Sequence, residues 1–185
     1  MSNYDESKHP RDESGGATSG QWTGSDATIA AAREAAGLPK PPAKYVEGSP
    51  QELIAGYEKL KAKDPALAAY ITAYTPDEYK AAGARVFMSE DGLSGYAIKA
   101  DGELVTVFSV ARGRGDGLVT SSILNGATKL DCYEDPASHH LTDLYSLGGF
   151  QETERMTWDE QYRPPGWDSN RFDNPDVVMM KKKKK

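Results

Sequence analysis

From residue 84 onward the apolar positions recur in short bursts with a period of two. Residues 85–89 (RVFMS) form an apolar run closed by Glu90-Asp91-Gly92, and residues 94–100 (SGYAIKA) alternate. Asp101-Gly102 is a hairpin signal leading into residues 103–110 (ELVTVFSV), a strong strand pattern. After a glycine-rich loop, residues 118–127 (LVTSSILNGA) read as a short helix and 129–133 (KLDCY) as a buried strand. Residues 137–147 read as a helix stopped by Gly148-Gly149. Residues 150–158 and 176–180 supply two further strands, separated by a Pro- and Gly-rich excursion over 162–174. The resulting order, β-β-β-loop-α-β-α-β-β, predicts a mixed α/β sheet with helices packed on it.

Upstream the period lengthens. Ser49-Pro50-Gln51-Glu52 carries a helix start: a hydroxyl cap, proline in the first turn and glutamate three residues on. Leu53, Ile54, Tyr57 and Leu60 follow at helical spacing as far as Asp64-Pro65. Thr75-Pro76-Asp77-Glu78 repeats the cap and opens a second helix running to about Gly83, and residues 67–74 between them are apolar without a clear period. Residues 29–37 (IAAAREAAG) suit a helix closed by Gly37, and Pro39, Pro41 and Pro42 then impose an extended linker. Residues 1–28 are rich in Ser, Gly, Asp and Glu and hold too little apolar surface to offset their ordering entropy. The expected division is an arm and linker over 1–48, one folded domain over 49–180, and a lysine tail over 181–185.

Composition narrows the function classes. The chain's 185 residues carry a formal net charge of -6, and an acidic chain is poorly suited to binding a polyphosphate backbone. The five lysines at 181–185 read as a solvated tail. Cys132 is the single cysteine, so no intramolecular disulfide forms, which suits a reducing compartment and a cytoplasmic location. No apolar run of membrane-spanning length occurs, and the N-terminus lacks the apolar core of a secretory signal.

The chemistry concentrates after the strand 103–110, in Arg112-Gly113-Arg114-Gly115-Asp116-Gly117. Three glycines in six residues allow close backbone approach, and a helix start immediately after them offers unpaired N–H groups and a positive dipole end. Arg112 and Arg114 add planar donors suited to phosphate oxygens. No Lys-Ser/Thr follows the glycines, which excludes a Walker loop. A flexible surface loop remains the competing reading of the same residues.

Arg112-x-x-Gly115-x-Gly117 after a strand resembles the Gln/Arg-x-x-Gly-x-Gly/Ala pyrophosphate loop of the GNAT N-acetyltransferases. The order of elements over 84–180, with Leu144-Tyr145-Ser146-Leu147-Gly148-Gly149-Phe150 closing a helix, resembles that family as well. The resemblance implies a mixed, mostly antiparallel central sheet flanked by helices. It implies acetyl-CoA as acyl donor, with no metal, held by Phe108, Val110, Arg112, Gly113, Arg114, Gly115, Asp116 and Gly117. It also implies transfer to a small-molecule or protein amine by direct attack, with Tyr145 protonating the leaving thiolate. Two departures stand out: the turn reads Gly-Gly-Phe where one glycine is usual, and Ser138, His139 and His140 stand where many members have an asparagine.

For the base, Glu134, Asp135, His139 and His140 cluster after a strand end, where α/β sheets hold ligands, and Glu134 is the expected group. Adjacent histidines on a helix point about 100° apart, so the pair does not predict a metal site. Tyr145 has an alternative as a core aromatic, Cys132 reads as buried and inert, and Trp158 and Trp167 wall an acceptor pocket, meet a protein partner or simply cover the sheet edge. A different class of function stays open. Residues 9–23 (HPRDESGGATSGQWT) resemble short tails of bacteriophage and prophage proteins, and Trp22 is an aromatic anchor in a polar arm. Under that reading the chain is a non-catalytic GNAT-fold component of a virion, docking on phage structural proteins through residues 1–48. A phage-encoded enzyme would instead work in the host cytoplasm.

Overall fold

The computed structural model describes residues 43–134 and 140–183. The helix expected over 29–37, the Trp22 arm, Asp135, Ser138 and His139 lie outside the described residues. Both predicted helix starts are realised. Ser49 Oγ accepts the Glu52 N–H at 3.3 Å while the Glu52 carboxylate accepts the Ser49 N–H at 2.7 Å, and this reciprocal box opens helix α1, Pro50–Lys63. Asp64 ends α1 and caps the single turn α2, Pro65–Ala68, by accepting from Leu67 N–H at 3.0 Å. Thr75 and Glu78 form the second box, at the start of α3, Pro76–Ala81.

Four strands follow each other in an antiparallel sheet: β1 Tyr45–Gly48, β2 Arg85–Ser89, β3 Ser94–Ile98 and β4 Leu104–Ser109. β1 falls where the sequence suggested linker. Its four residues are too few for an alternation signal, and its ladder with β2, from Tyr45 opposite Ser89 to Gly48 opposite Val86, makes it a strand. A second antiparallel sheet has the order β5-β7-β6, with β5 Lys129–Glu134, β6 Phe150–Met156 and β7 Asp176–Lys182. Helix α4, Gly115–Leu124, joins β4 to β5, and α5, His140–Leu147, precedes β6. The excursion before β7 holds a 3-10 turn, Glu160–Tyr162, and a short helix α6, Ser169–Phe172. β7 extends beyond Met180, so Lys181 and Lys182 pair in the ladder.

Each face of the first sheet has its own apolar core. Leu53, Leu60, Tyr79, Val86, Met88, Val105 and Phe108 join it to α1 and α3. Phe87, Tyr96, Leu104, Leu118, Val119, Leu130, Tyr145, Phe150 and Val178 fill the other side, beneath α4 and α5. Close approach between the β2–β3 hairpin and α1 depends on Gly95, where an added Cβ would lie 2.8 Å from the Phe87 carbonyl oxygen. Backbone cannot step aside as a side chain can, so Gly95→Ala is expected to lower stability by about 2 kcal/mol, read as a lower denaturation midpoint at unchanged slope.

The two sheets touch through one parallel bridge, Glu103 opposite Lys129. Beyond it, no ladder joins β4 to β5 among the described residues. The cause is local. The register between β3 and β4 slips between Gly95 and Ala97, placing one extra residue in β4, and Thr106 there adopts φ +52°. A β-branched residue in the left-handed region is strained and persists only if its surroundings enforce it. Thr106 is buried, and its hydroxyl donates to the Thr72 carbonyl at 2.8 Å while lying 2.7 Å from the Tyr79 hydroxyl. This bulge turns β4 away from β5 and opens the gap between the sheets.

Candidate active site

The gap is a cleft of about 520 Å3 that passes between β4 and β5. On the α4/α5 side it is lined by Gly113, Arg114, Gly115, Leu118, Val119, His140, Leu141, Leu144 and Tyr145. On the other side stand Leu67, Tyr70, Ile71, Thr72, Tyr74, Tyr133 and Phe172, with Asp131 on β5.

The glycine-rich segment is divided by the fold. Arg112 and Gly113 form the turn after β4, with Gly113 at φ +75° in open space. Gly115, Asp116 and Gly117 form the first turn of α4. The first bond inside that helix runs from Leu118 N–H to the Arg114 carbonyl at 2.9 Å, and Arg114 provides no side-chain cap. The N–H groups of residues 115–117 therefore make no hydrogen bond among the described residues, which leaves donors and the positive dipole end at the cleft mouth. Asp116 is exposed on this turn. Gly115 is also needed for packing, since a Cβ there would meet the Leu144 side chain at 2.9 Å.

The two arginines have different placements. Arg112 is exposed and makes no ion pair among the described residues. Arg114 is turned back onto the β2–β3 hairpin, where its guanidinium pairs with both oxygens of Asp91 and donates to Ser94 Oγ at 3.0 Å. That pairing holds the Asp91 carboxyl far below the usual carboxylate range. The expectation that both arginines offer charge to a phosphate is corrected for Arg114, whose charge is already matched.

The backbone N–H groups of residues 108–110 point in different directions. Val110 N–H donates to the Leu93 carbonyl at 2.7 Å, so it faces β3. Antiparallel alternation turns the N–H of Phe108, opposite Gly95, the same way and sends that of Ser109 toward the gap. The Phe108 ring lies in the core on the α1 side.

Tyr145 lines the cleft from α5 and is 7% exposed. Its hydroxyl makes no hydrogen bond among the described residues. Burial pushes it well above the usual phenol range, with Cys132 and Asp131 adding smaller contributions. A buried, unpartnered hydroxyl on a cleft wall is an unmet demand that a bound ligand can satisfy. The double glycine after it has two separate causes. A Cβ at Gly148 would meet Val119 Cγ1 at 2.6 Å across the α4–α5 contact, and Gly149 takes φ +86°.

Glu134 does not line the cleft. β5 alternates Leu130, Cys132 and Glu134 inward, and Glu134 is buried, ion-paired with Arg155 and accepting from the Thr142 hydroxyl at 3.1 Å. The expectation that it faces an acceptor is overturned by that parity. Asp131, on the opposite face of β5, is the carboxylate in the cleft wall. It keeps solvent contact through the opening but has protein on its other sides; desolvation, reinforced by Glu103 and opposed by Lys99, raises its carboxyl above the ordinary range. Sequence reading missed it because Asp131 sits between two core residues, and only the parting of β4 and β5 turns its face into a site. Cys132 is buried beside it, with its thiol pushed up to about 12 by desolvation, in keeping with an inert core residue.

No group of metal-ligating side chains occurs among the described residues. No helix among them is long and apolar enough to cross a membrane.

No family model matches the chain, and no curated protein matches its sequence. Solved structures do. A GNAT family acetyltransferase from Elizabethkingia anophelis, with acetyl-CoA bound, superposes with a TM-score of 0.50 at 18% identity, covering 78% of this chain and 100% of its own. A ribosomal-protein-alanine N-acetyltransferase from Brucella melitensis gives 0.48 at 18% identity, over 75% of this chain and 98% of its own. A Bacillus subtilis acetyltransferase in complex with CoA gives 0.46 at 18% identity, over 77% and 99%. With its parted strands, its two antiparallel sheets and its flanking helices, the chain has the GNAT fold.

Proposed function

We propose that the protein is an acyl-CoA-dependent N-acyltransferase that joins an acyl donor and an amine within the β4–β5 cleft. The observation that carries this reading is the unpartnered Tyr145 hydroxyl on the wall of a cleft whose mouth holds the uncapped N-terminus of α4. The likeness to acetyl-CoA- and CoA-bound acetyltransferases fits the same reading at the level of fold.

The acyl donor supplies a thioester, whose C–S bond breaks as the acceptor nitrogen forms the amide. The free N–H groups of residues 115–117 and the exposed Arg112 are suited to its pyrophosphate. The Ser109 N–H, directed into the gap, is available to the thioester oxygen as negative charge builds there. Tyr145, kept protonated by burial, stands ready to give its proton to the departing sulfur. Asp131 faces the cleft and takes the proton released by the attacking nitrogen. The cleft holds both partners at contact distance, from which much of the acceleration derives.

The second reading, a non-catalytic virion component, rests on residues 1–48, of which 1–42 lie outside the described residues. No observation in the described domain favours it.

The test is release of free CoA thiol from acetyl-CoA, followed over a panel of amines. Turnover that depends on both substrates is expected, and release that is indifferent to every amine would count against transfer. Asp131 adds a pH signature. Its raised carboxyl places the acid limb of the rate profile above the ordinary carboxylate range, and Asp131→Asn should abolish that limb. The linkage sign follows from the same shift. A carboxyl raised in the fold binds its proton more tightly than in the unfolded chain, so its ionisation at neutral pH works against stability. Asp131→Asn is therefore expected to melt no lower than the wild type at pH 7 while losing activity.

A further inference from the structure

The α4/α5 half of the cleft accounts for an acyl donor; the opposite half has a chemistry of its own. Its rings are Tyr70, Tyr74, Tyr133 and Phe172, and its ionisable acid is Asp131. Tyr70 packs edge-on against Phe172 and Tyr133, with ring centroids 4.4 Å and 5.3 Å away. Trp167 backs this wall, with its centroid 4.7 Å from Tyr70 and 5.0 Å from Tyr133. The nearby Lys99 and Glu103 pair with each other at 3.1 Å, and Asp131 makes no ion pair among the described residues. An ion pair ties the neighbouring segments together. Arg171 on α6 holds Asp64, at the end of α1, through 2.6 Å and 2.9 Å bonds, clasping the excursion before β7 onto the α1–α2 corner.

From this arrangement, and resting on the acyl-transfer reading above, we infer that the acceptor is a small monoamine with an aromatic body. Its ammonium pairs with Asp131, and its ring lies against Tyr70, Tyr133 and Phe172. Aromatic faces attract both a cation and another ring, so one carboxylate among rings suits a single positive charge on an apolar frame. A polyamine would need further carboxylates for its other charges, and the cleft wall has none among the described residues. Once the ammonium has passed its proton on, the neutral nitrogen forms the amide bond as the thioester C–S bond breaks.

The experiment is calorimetric titration of phenethylamine, spermidine and the neutral analogue 2-phenylethanol into the protein without acyl donor. Phenethylamine should bind saturably and at least tenfold tighter than either of the others. Asp131→Asn and Phe172→Ala should each weaken it tenfold or more, the second variant deciding the matter if the first does not fold. Tighter binding of spermidine, equal binding of phenylethanol, or affinity unmoved by both substitutions would overturn the inference. Because no donor is present, the result separates from the reaction. Phenethylamine binding without thiol release from acetyl-CoA keeps the acceptor site and refutes acyl transfer. Thiol release with spermidine alone keeps transfer and refutes this acceptor.

Discussion

Replacing Tyr145 with phenylalanine should lower kcat by roughly 10²- to 10³-fold, the span expected for loss of a positioned proton donor. The ring packs edge-on against Phe150, with centroids 6.1 Å apart, and phenylalanine preserves that contact. The hydroxyl makes no hydrogen bond among the described residues, so its removal breaks no bond there and relieves an unsatisfied buried group. The thermal midpoint should therefore hold or rise while kcat falls, with the KM for the acyl donor little changed. A core tyrosine without a catalytic part would give the opposite split, with stability altered and kcat intact. Burial keeps the phenol protonated at neutral pH, so the proton is in place when the C–S bond breaks.

The second large effect concerns stability. Arg155→Ala should cost about 3 kcal/mol, because it leaves the buried Glu134 carboxylate without its guanidinium partner. For a domain of this size that corresponds to a fall of roughly 10 °C in thermal midpoint. The same guanidinium also meets Glu152 at 2.6 Å and Asp176 at 3.4 Å, so its loss leaves three carboxylates together where β5, β7 and β6 run side by side. Adding Glu134→Gln should restore part of the loss, since an amide still accepts from Thr142 and carries no charge to bury. Glu134→Gln alone should leave the acid limb of the rate profile in place, which separates Glu134 from Asp131 in a single pair of measurements.

Much of the fold was legible because local signals agreed with tertiary demands. The Ser49–Glu52 and Thr75–Glu78 boxes formed as their spacing implied, and alternation in ELVTVFSV marked β4 to within a residue at each end. The order of elements from β2 to β7 also followed the sequence pattern. Features that depend on parity or on a distant neighbour were not legible. Thr106 reads as an ordinary strand residue, and its φ of +52° comes from Thr72 and Tyr79, more than 25 positions upstream in the chain. The bulge it forms decides which amide faces the gap, and the sequence pattern over 108–110 does not single out Ser109. Arg114 carries the charge a phosphate loop wants, yet Asp91, 23 residues away in sequence, takes it. Glu134 and Asp131 lie three positions apart on one strand and therefore face opposite sides, so the choice between them required knowing which side opens.

The central claim, that the cleft between β4 and β5 receives an acyl-CoA, is tested most directly by calorimetric titration of acetyl-CoA into the protein and two variants at Gly113. That residue sits at φ +75° with open space around it, a conformation that asparagine and aspartate both tolerate. The account predicts saturable binding in the micromolar range, kept by Gly113→Asn and weakened at least tenfold by Gly113→Asp, which places a carboxylate beside the pyrophosphate site. Absence of saturable heat from the folded wild type, or equal affinity in both variants, would contradict it.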